Sequence, residues 1–367
     1  MDEIRHTGRA SPPGRRSFLG FTAAGLVVPL GAMAPASWRT GQSSLSDGLG
    51  HPPICHAAMG ANAVAPGAAP REIKIVWNAG SLCTVGVPVA MQRGFFASRN
   101  LKVETLNIAG STDQLLEALA SGKADAGMGM AWGWLKPLEQ GFDVKLVAAI
   151  HGGCIRLLTS HESGITSVQG LKGKTVGTAN MASPDRVFLS VLAAKRGVDP
   201  MKDIEWRVYP PDLLGVALQK GEIQAISSND PIASIIRDRD HLVEVTNNLA
   251  DEFANRTCCV LGIRGSLVRD ERPVAAAITA ALMEAQEWVA ENPEGAAAIY
   301  AGFSKAATPE QLAALLRSHT HHHHPVGDAL KQEITLYAED LKLASVLKAS
   351  TDPAQFADRV CVDILAT

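Results

Sequence analysis

The stretch Ala118-Leu-Ala-Ser-Gly-Lys-Ala-Asp-Ala126 has a close counterpart in Ala217-Leu-Gln-Lys-Gly-Glu-Ile-Gln-Ala225. In each stretch an apolar helical pattern stops at a glycine, and a short apolar run typical of a strand follows. Around each stretch the chain keeps the same order of strand, polar turn and helix. This repetition predicts two similarly built α/β lobes.

The strand candidates of each lobe alternate with helical segments, which is typical of a parallel sheet covered by helices on both faces. Those of the first lobe lie at 73–77, 101–107, 126–130 and 144–150. Those of the second lobe lie at 171–177, 204–209, 223–227 and 241–246.

After the second lobe, Cys258–Ile263 forms one more apolar strand candidate, and the remaining chain is helical in pattern. The fold class we predict is therefore α/β, with two Rossmann-like lobes joined by a two-crossing hinge and a helical C-terminal extension. The predicted ranges are 71–155 with 257–367 for lobe 1, and 156–256 for lobe 2. Ligands of open α/β sheets bind outside the carboxyl ends of the strands, so two facing lobes predict one cleft between them.

The N-terminus carries Arg15-Arg16-Ser17-Phe18-Leu19, followed by an uncharged run from Phe21 to Ala36. A basic segment, an apolar segment and small residues at Ala34-Pro35-Ala36 are the features of a secretory signal, here of twin-arginine type over residues 1–36. The apolar segment is shorter than the roughly 20 residues of a transmembrane helix, although an uncleaved anchor is an alternative. We expect a periplasmic protein, with a flexible linker over residues 37–70.

Composition and motifs favour binding over catalysis. The net charge of −3 gives no indication of nucleic-acid binding. The chain lacks a complete P-loop, a His-Glu-x-x-His motif and a Gly-x-Ser-x-Gly elbow, so we expect no enzymatic activity. Five of the six cysteines lie in or beside apolar segments, where we expect small buried side chains, with one long-range disulfide as the alternative.

Several motifs together resemble the solute-binding proteins of ABC importers, in the branch that binds nitrate, sulfonates, taurine or bicarbonate. They are Gly94-Phe-Phe96 with Leu101-Lys-Val-Glu104, Gly110-Ser-Thr112, Val168-Gln-Gly-Leu-Lys-Gly-Lys-Thr-Val-Gly177 and the two stretches quoted first. The resemblance implies a clamshell that captures a small, usually anionic, solute and delivers it to a membrane permease. It implies no cofactor, and we expect a monomer.

The resemblance also implies that the loops at the strand ends and the first turns of helices hold the ligand, because free N–H groups and helix dipoles suit an oxyanion. The ligand-binding residues carried over are Ser81, Leu82, Cys83, Ser111, Thr112, Trp132, Ser183, Asp185, Asn229 and Asp230. Each has a structural alternative. The hydroxyl and amide residues also suit helix caps, while Cys83 and Trp132 also suit the core. Asp230 would repel an anion, which favours a ligand with a cationic or hydrogen-donating part, or an ion pair with Arg156 or Arg186.

The tract His319-Thr-His-His-His-His324 suggests a second kind of site. Neutral imidazoles three or four residues apart are competent ligands for Zn²⁺, Cu²⁺ or Ni²⁺. The candidate metal ligands are His319, His321, His322, His323 and His324. A solvated loop before Pro325 and a contact with the cleft ligand are the alternatives. A metal-binding receptor or scavenger is thus one alternative function. A binder or synthase of the thiamine pyrimidine precursor is another, because that synthase uses the same fold, but it depends on a Cys-rich motif of which this chain has only Cys258-Cys259.

Overall fold

The structure is a computed structural model that describes residues 68–108, 112–305, 307–319 and 323–366. The predicted signal peptide and all of the predicted linker except its last three residues lie outside these ranges, as do Ser111, His321 and His322.

The described strands and helices alternate along most of the chain, except that no α-helix lies between β4 and β5, between β5 and β6, or between β9 and β10. The strands are β1 (Arg71–Trp77), β2 (Leu101–Asn107), β3 (Ala126–Met130), β4 (Val144–His151), β5 (Ile155–Thr159), β6 (Lys174–Thr178), β7 (Ile204–Val208), β8 (Ala225–Asn229), β9 (Val243–Asn247) and β10 (Cys259–Arg264). The helices are α1 (Gly86–Gln92), α2 (Thr112–Ala120), α3 (Ala131–Glu139), α4 (Pro184–Lys195), α5 (Leu214–Gln219), α6 (Ile232–Arg239), α7 (Gly265–Asp270), α8 (Arg272–Glu291), α9 (Pro293–Tyr300), α10 (Pro309–Ser318), α11 (Gly327–Leu343) and α12 (Pro353–Val360).

The strands form two sheets of five, with the orders β2-β1-β3-β10-β4 and β7-β6-β8-β5-β9. The predicted α/β fold with two similar lobes is therefore confirmed. Both sheets begin in the same way: β1 pairs in parallel with β2 and β3, and β6 pairs in parallel with β7 and β8.

The expectation of fully parallel sheets is wrong for one strand in each lobe. β10 runs antiparallel to β3 and β4, and β5 runs antiparallel to β8 and β9. Each of these two strands enters its sheet directly from the other sheet, through residues 152–154 or 248–258. Two neighbouring parallel strands need a crossover connection, usually a helix, within the same lobe. No such crossover precedes β5 or β10, so these strands can run antiparallel to their neighbours.

The C-terminal helices complete the first lobe. α8 packs against α1 and β4, and α11 packs against β4 while also contacting α4 of the second lobe. The side chains of α8 that face this core include Ile278 and Leu282, which are fully buried. Among the described residues, no helix combines the length and the apolar character needed to cross a bilayer.

Two glycines in the first sheet make room for the indole of Trp134, which is fully buried on α3. A Cβ atom added at Gly129 or at Gly262 would collide with that ring. We expect Gly262→Ala to lower the free energy of unfolding by about 1–3 kcal/mol, because overpacking forces the indole or the strand to shift. Urea unfolding measures this change. Gly170→Ala is the control, because its added Cβ would have its closest contact at 3.5 Å, and equal losses in the two variants would contradict the packing argument.

Candidate functional site

The two lobes meet at the first turns of α2, α3 and α4, where several predicted ligand residues lie. Gly133 on α3 lies between the other two helices. A Cβ atom at Gly133 would lie 3.0 Å from Cγ2 of Thr112 on α2 and 3.0 Å from Cγ of Pro184 on α4. The helix that begins at Thr112 in lobe 1 and the helix capped by Ser183 in lobe 2 thus begin close together.

A cluster of aromatic rings packs in the same region. Trp132, which is 1% exposed, lies with its ring centroid 4.4 Å from that of Tyr337 and 5.6 Å from that of Phe188. The ring of Phe253, from the second crossing, lies 5.8 Å from the Trp132 ring. Trp132 therefore joins α3 of lobe 1 to α4 of lobe 2. Its surroundings are those of a core residue, which was the structural alternative for this position.

Four cysteines meet beside the crossings between the sheets. Cys83 follows β1, Cys154 lies in the first crossing, and Cys258 and Cys259 end the second crossing and begin β10. Sγ of Cys154 lies 3.0 Å from Sγ of Cys83 and 3.6 Å from Sγ of Cys258. The thioether sulfur of Met130 lies 3.8 Å from Cys154 Sγ. We call the four cysteines, Met130 and His151 the sulfur–imidazole cluster.

Backbone hydrogen bonds fix the positions of these residues. The Cys258 N–H donates to the His151 carbonyl at 2.7 Å, and the Ala131 N–H donates to the Cys258 carbonyl at 2.8 Å. The Asp230 N–H donates to the Cys154 carbonyl at 2.8 Å, which ties the end of β8 to the first crossing. The four cysteines are all buried and are free thiols.

His151 brings an imidazole to the cluster. Ligand atoms of Cys83, His151 and Cys259 all lie within 4.8 Å of one another, and among the described residues this is the one group of three or more His, Cys, Asp or Glu side chains with that property. Burial disfavours a charged imidazole, but the negative Cys83 and Cys258 sulfurs outweigh it and raise the pKa of His151 to about 9. The neighbouring thiols of Cys154 and Cys259 lower the pKa of Cys83 well below its ordinary value.

A buried ion-pair network adjoins the cluster. Asp230 is fully buried, and both of its carboxylate oxygens accept hydrogen bonds from Arg156 at 2.8–3.0 Å. Arg156 also donates to Glu244 at 2.7 Å, and Ser234 Oγ donates to Asp230 at 2.7 Å. Burial opposes ionisation of Asp230, yet the nearby His319 and the hydrogen bonds from Arg156 hold its pKa below the ordinary value. Of the alternatives for Asp230, the structure shows the ion pair with Arg156.

Arg186, the other candidate partner, points elsewhere. Its guanidinium lies 5.0 Å from the ring centroid of Trp206, and its Nη2 lies 3.5 Å from the sulfur of Met201. The structural alternative for Ser183 was a helix cap, and this is true of its backbone position only. Ser183 occupies the N-cap position of α4, but its side chain makes no capping hydrogen bond.

The Ser183 hydroxyl instead belongs to a second polar group at the start of α4. Its Oγ lies 2.8 Å from Oγ1 of Thr178 and donates to the Asn180 carbonyl at 2.9 Å. Thr178 Oγ1 also donates to the Asp185 carboxylate at 3.1 Å. Burial raises the pKa of Asp185 to about 6, despite hydrogen bonds from Ser183 and Thr178 that favour the carboxylate.

This raised pKa gives a testable pH dependence. The pKa of Asp185 is about 6 in the folded protein against an ordinary value of 3.8, so folding favours the protonated acid and its contribution to stability is lost as the pH rises through this range. We expect the free energy of unfolding of the wild type to fall relative to Asp185→Asn by on the order of 2–3 kcal/mol between about pH 4 and pH 7. Urea unfolding at several pH values measures the difference. Asp212→Asn, at an exposed position, is the control, and a difference that stays constant with pH would contradict the prediction.

The other predicted ligand residues lie near the same strand ends. Ser81, Leu82 and Cys83 are buried at the turn after β1. Asn229 ends β8, and its side-chain amide donates to the Asp230 carbonyl at 3.3 Å. Their role in ligand binding stays a prediction.

The described histidines of the tract face different partners. His319 stacks on His151 with ring centroids 5.2 Å apart and ring planes 5° from parallel, and its Nε2 lies 3.8 Å from an Asp230 oxygen. His323 pairs with Glu333 on α11, whose hydrogen bond raises the pKa of His323. A metal site built from the tract stays a prediction, while His319 reaches the junction of the lobes.

Two cavities lie near these elements. One, of about 250 Å³, opens between α6 and α10 beside the buried ion-pair network. Its polar lining includes Arg156, Ser234, Arg237, Gln311 and Ser318. The other, of about 560 Å³, lies beside the amino end of β1 and is lined by charged side chains such as Arg71 and Lys102. Only the first is at the junction of the lobes.

The sulfur–imidazole cluster was not predicted as a site. The sequence shows Cys258-Cys259 as an unusual pair, but Cys83, Cys154 and His151 are far from it along the chain. One signal was available: Cys154 and Cys258 lie within two residues of the predicted lobe boundaries, after residues 155 and 256, and these boundaries must lie side by side if the chain crosses twice.

The architecture is that of the two-lobed periplasmic binding proteins. The sequence profile of the NMT1-like family matches residues 67–302, and the chain belongs to this family. This confirms the resemblance to importer solute-binding proteins. None of the curated proteins matches the chain by sequence.

Solved structures with the same fold include transport proteins. The aliphatic sulphonate binding protein SsuA of Escherichia coli is 18% identical with a TM-score of 0.66, over 79% of this chain and 92% of that one. The nitrate-binding protein NrtA of Synechocystis is 16% identical with a TM-score of 0.65, over 81% of this chain and 88% of that one. A zinc-bound ligand-binding component of an ABC-type import system from Staphylococcus aureus is 15% identical with a TM-score of 0.62, over 79% and 99%. At these identities, the likeness shows the fold.

Proposed function

We propose that the chain is the extracytoplasmic solute-binding component of an ABC importer, holding a small anionic solute between its lobes and delivering it to a membrane permease. The observation that carries the proposal is the meeting of α2 and α4 around Gly133, with Thr112 and Pro184 each 3.0 Å from a Cβ atom placed there. Each lobe thereby contributes the N-terminal end of a helix to one place. Such ends present N–H groups and a positive dipole to an anion.

The site also supplies hydroxyl groups from the two lobes. Thr112 lies at the start of α2, Thr178 ends β6, and Ser183, whose hydroxyl donates to the Asn180 carbonyl, is the N-cap residue of α4. Hydroxyl and backbone N–H donors suit sulfonate, nitrate and bicarbonate, which present several acceptor oxygens. The Arg156 guanidinium is already engaged by Asp230 and Glu244, so the anion would be held mainly by neutral donors.

Family membership supports the same function. The sulphonate-binding protein and the nitrate-binding protein that share the fold are named for small anions. A signal of twin-arginine type at Arg15-Arg16 fits a protein that works outside the cytoplasm. The solute classes proposed are sulfonates, taurine, nitrate and bicarbonate.

A thermal-shift panel tests this proposal. The purified protein is heated with nitrate, bicarbonate, taurine, alkanesulfonates and the thiamine pyrimidine precursor in turn. A ligand at about 100 times its Kd stabilises a one-site protein by about 2.7 kcal/mol, so we expect a Tm rise of several degrees with at least one of the first four. A rise with the pyrimidine alone would favour the precursor binder, and no rise with any compound would contradict solute capture.

A further inference from the structure

The capture of an anion leaves the sulfur–imidazole cluster without a role. Its possible ligand groups are four cysteine thiols, one thioether and one imidazole at the junction of the lobes. The sulfur of Cys154 lies within 3.6 Å of the sulfurs of Cys83 and Cys258, and Cys259 belongs to the same group. Cys83, His151 and Cys259 are each no more than 2% exposed. Polar and ionisable groups concentrated in a core generally have a partner, and these groups share the chemistry of metal ligands.

The distances suit a single ion. A tetrahedral centre with metal–sulfur bonds of about 2.3 Å holds its sulfur ligands about 3.8 Å apart. The ligand atoms of Cys83, His151 and Cys259 lie within 4.8 Å of one another, and Cys154 Sγ lies 3.6 Å from Cys258 Sγ and 3.8 Å from Met130 Sδ. Cys83 and Cys154, at 3.0 Å, are closer than two ligands of one ion, so we take Cys83 rather than Cys154 as a ligand.

The donor types select a class of metal. Thiolate and thioether sulfur favour soft ions, whereas carboxylate and carbonyl oxygen favour Mg²⁺ and Ca²⁺. The ring nitrogen Nδ1 of His151 lies 3.2 Å from the Gly152 carbonyl oxygen. Donation from Nδ1–H to that carbonyl would put the lone pair on Nε2, which is the usual way in which a protein orients a metal-binding imidazole.

We propose that Cys83, His151 and Cys259 bind one thiophilic, closed-shell metal ion of the class of Cu(I) and Zn(II), with Cys154, Cys258 and Met130 as the adjoining sulfur groups. This site is distinct from the predicted histidine tract, and it does not depend on the proposed capture of an anion.

The positions of the proposed ligands indicate that a bound ion would link parts of the first sheet. Cys83 follows β1, His151 ends β4 and Cys259 begins β10, so the ion would join three strands of the first sheet at the point where the chain leaves for the second. His319 stacks on His151 and approaches Asp230, the residue after β8, so the second lobe lies one side chain from the site. Binding is therefore expected to stabilise the hinge region.

Anaerobic metal titration of the reduced, full-length protein tests the proposal. Cu(I) is added against a competing chelator, and Zn(II) is added in a separate arm. We expect one ion per chain from at least one arm, with sulfur neighbours at about 2.3 Å by X-ray absorption spectroscopy. Cys83→Ser and Cys259→Ser should each weaken binding by at least about 100-fold, because loss of an outer-shell partner alone costs 10- to 100-fold. Cys361→Ser is the matched control, since Cys361 is also buried but lies at the end of α12.

Several results would overturn the proposal. The first is that neither Cu(I) nor Zn(II) binds. The second is that the Cys83 and Cys259 variants bind the ion as tightly as Cys361→Ser does. The third is an ion with nitrogen neighbours only, as the histidine tract would give. Because the absorption measurement uses the wild type, the proposal stays testable if a cysteine variant fails to fold. A negative anion panel with a positive metal titration would reject the proposed function and leave the metal site standing.

Discussion

Arg156→Met is expected to lower the free energy of unfolding by about 3–5 kcal/mol, because it leaves the Asp230 carboxylate buried without its main partner. Asp230 is fully buried, and Arg156 contacts both of its oxygens while also reaching Glu244. Urea unfolding followed by circular dichroism measures the loss.

Two further variants separate charge from packing. Arg207→Met breaks an ion pair with Glu205 whose side chains are 46% and 58% exposed, so we expect a loss of no more than about 1 kcal/mol. The double variant Arg156→Met with Asp230→Asn should be more stable than Arg156→Met alone, because it removes the unpaired charge. If Arg156→Met and Arg207→Met lost the same amount, the ion pair would not have the buried role that we assign to it.

Trp132→Ala is the second large effect, at about 3–5 kcal/mol, because it empties the space between α3 and α4 that the indole fills. The ring contacts Phe188 of lobe 2, Phe253 of the second crossing and Tyr337 of α11. The variant should therefore weaken the packing between lobes as well as total stability. Hydrogen exchange is expected to rise in α4 more than in α8, which packs within lobe 1.

The control for this variant is Trp206→Ala. Trp206 is half-buried within lobe 2, where its indole N–H donates to the Pro200 carbonyl at 2.8 Å. We expect a smaller loss of stability there, with no change of exchange at the junction of the lobes. An equal loss in both variants, or unchanged exchange in α4 of Trp132→Ala, would show that Trp132 does not join the lobes.

The lobes were predictable because their signals are local. In Ala118–Ala126 and Ala217–Ala225 the helix, the glycine stop and the following strand are all encoded within a few residues. β5 was not predicted, because Ile155–Thr159 is buried at every position and so shows no alternation, and no helix follows it directly. The antiparallel direction of β5 and β10 depends on which lobe the chain comes from, and no single segment carries that information.

The candidate site was predictable only in part. Thr112 and Ser183 stand at helix starts, which the cap pattern indicates, and the structure brings these two helix starts together. The sulfur–imidazole cluster depends on contacts such as that between Cys83 and Cys154, which arise from the double crossing rather than from spacing. The sequence could not decide whether Asp230 forms an ion pair or contacts the ligand. That choice depends on the pairing of β5 with β8, which brings Arg156 next to Asp230.

Calorimetric titration with the anion that gives the largest thermal shift tests for a binding site shared by both lobes. We expect one site per chain, weakened at least about tenfold by Thr112→Ala in lobe 1 and by Ser183→Ala in lobe 2, which is about 1.4 kcal/mol each, the size of one hydrogen bond. Thr335→Ala on α11 and Ser98→Ala at an exposed turn serve as controls and should leave the Kd unchanged. Binding that is insensitive to both cleft variants, or sensitive to one lobe only, would contradict a site between the lobes.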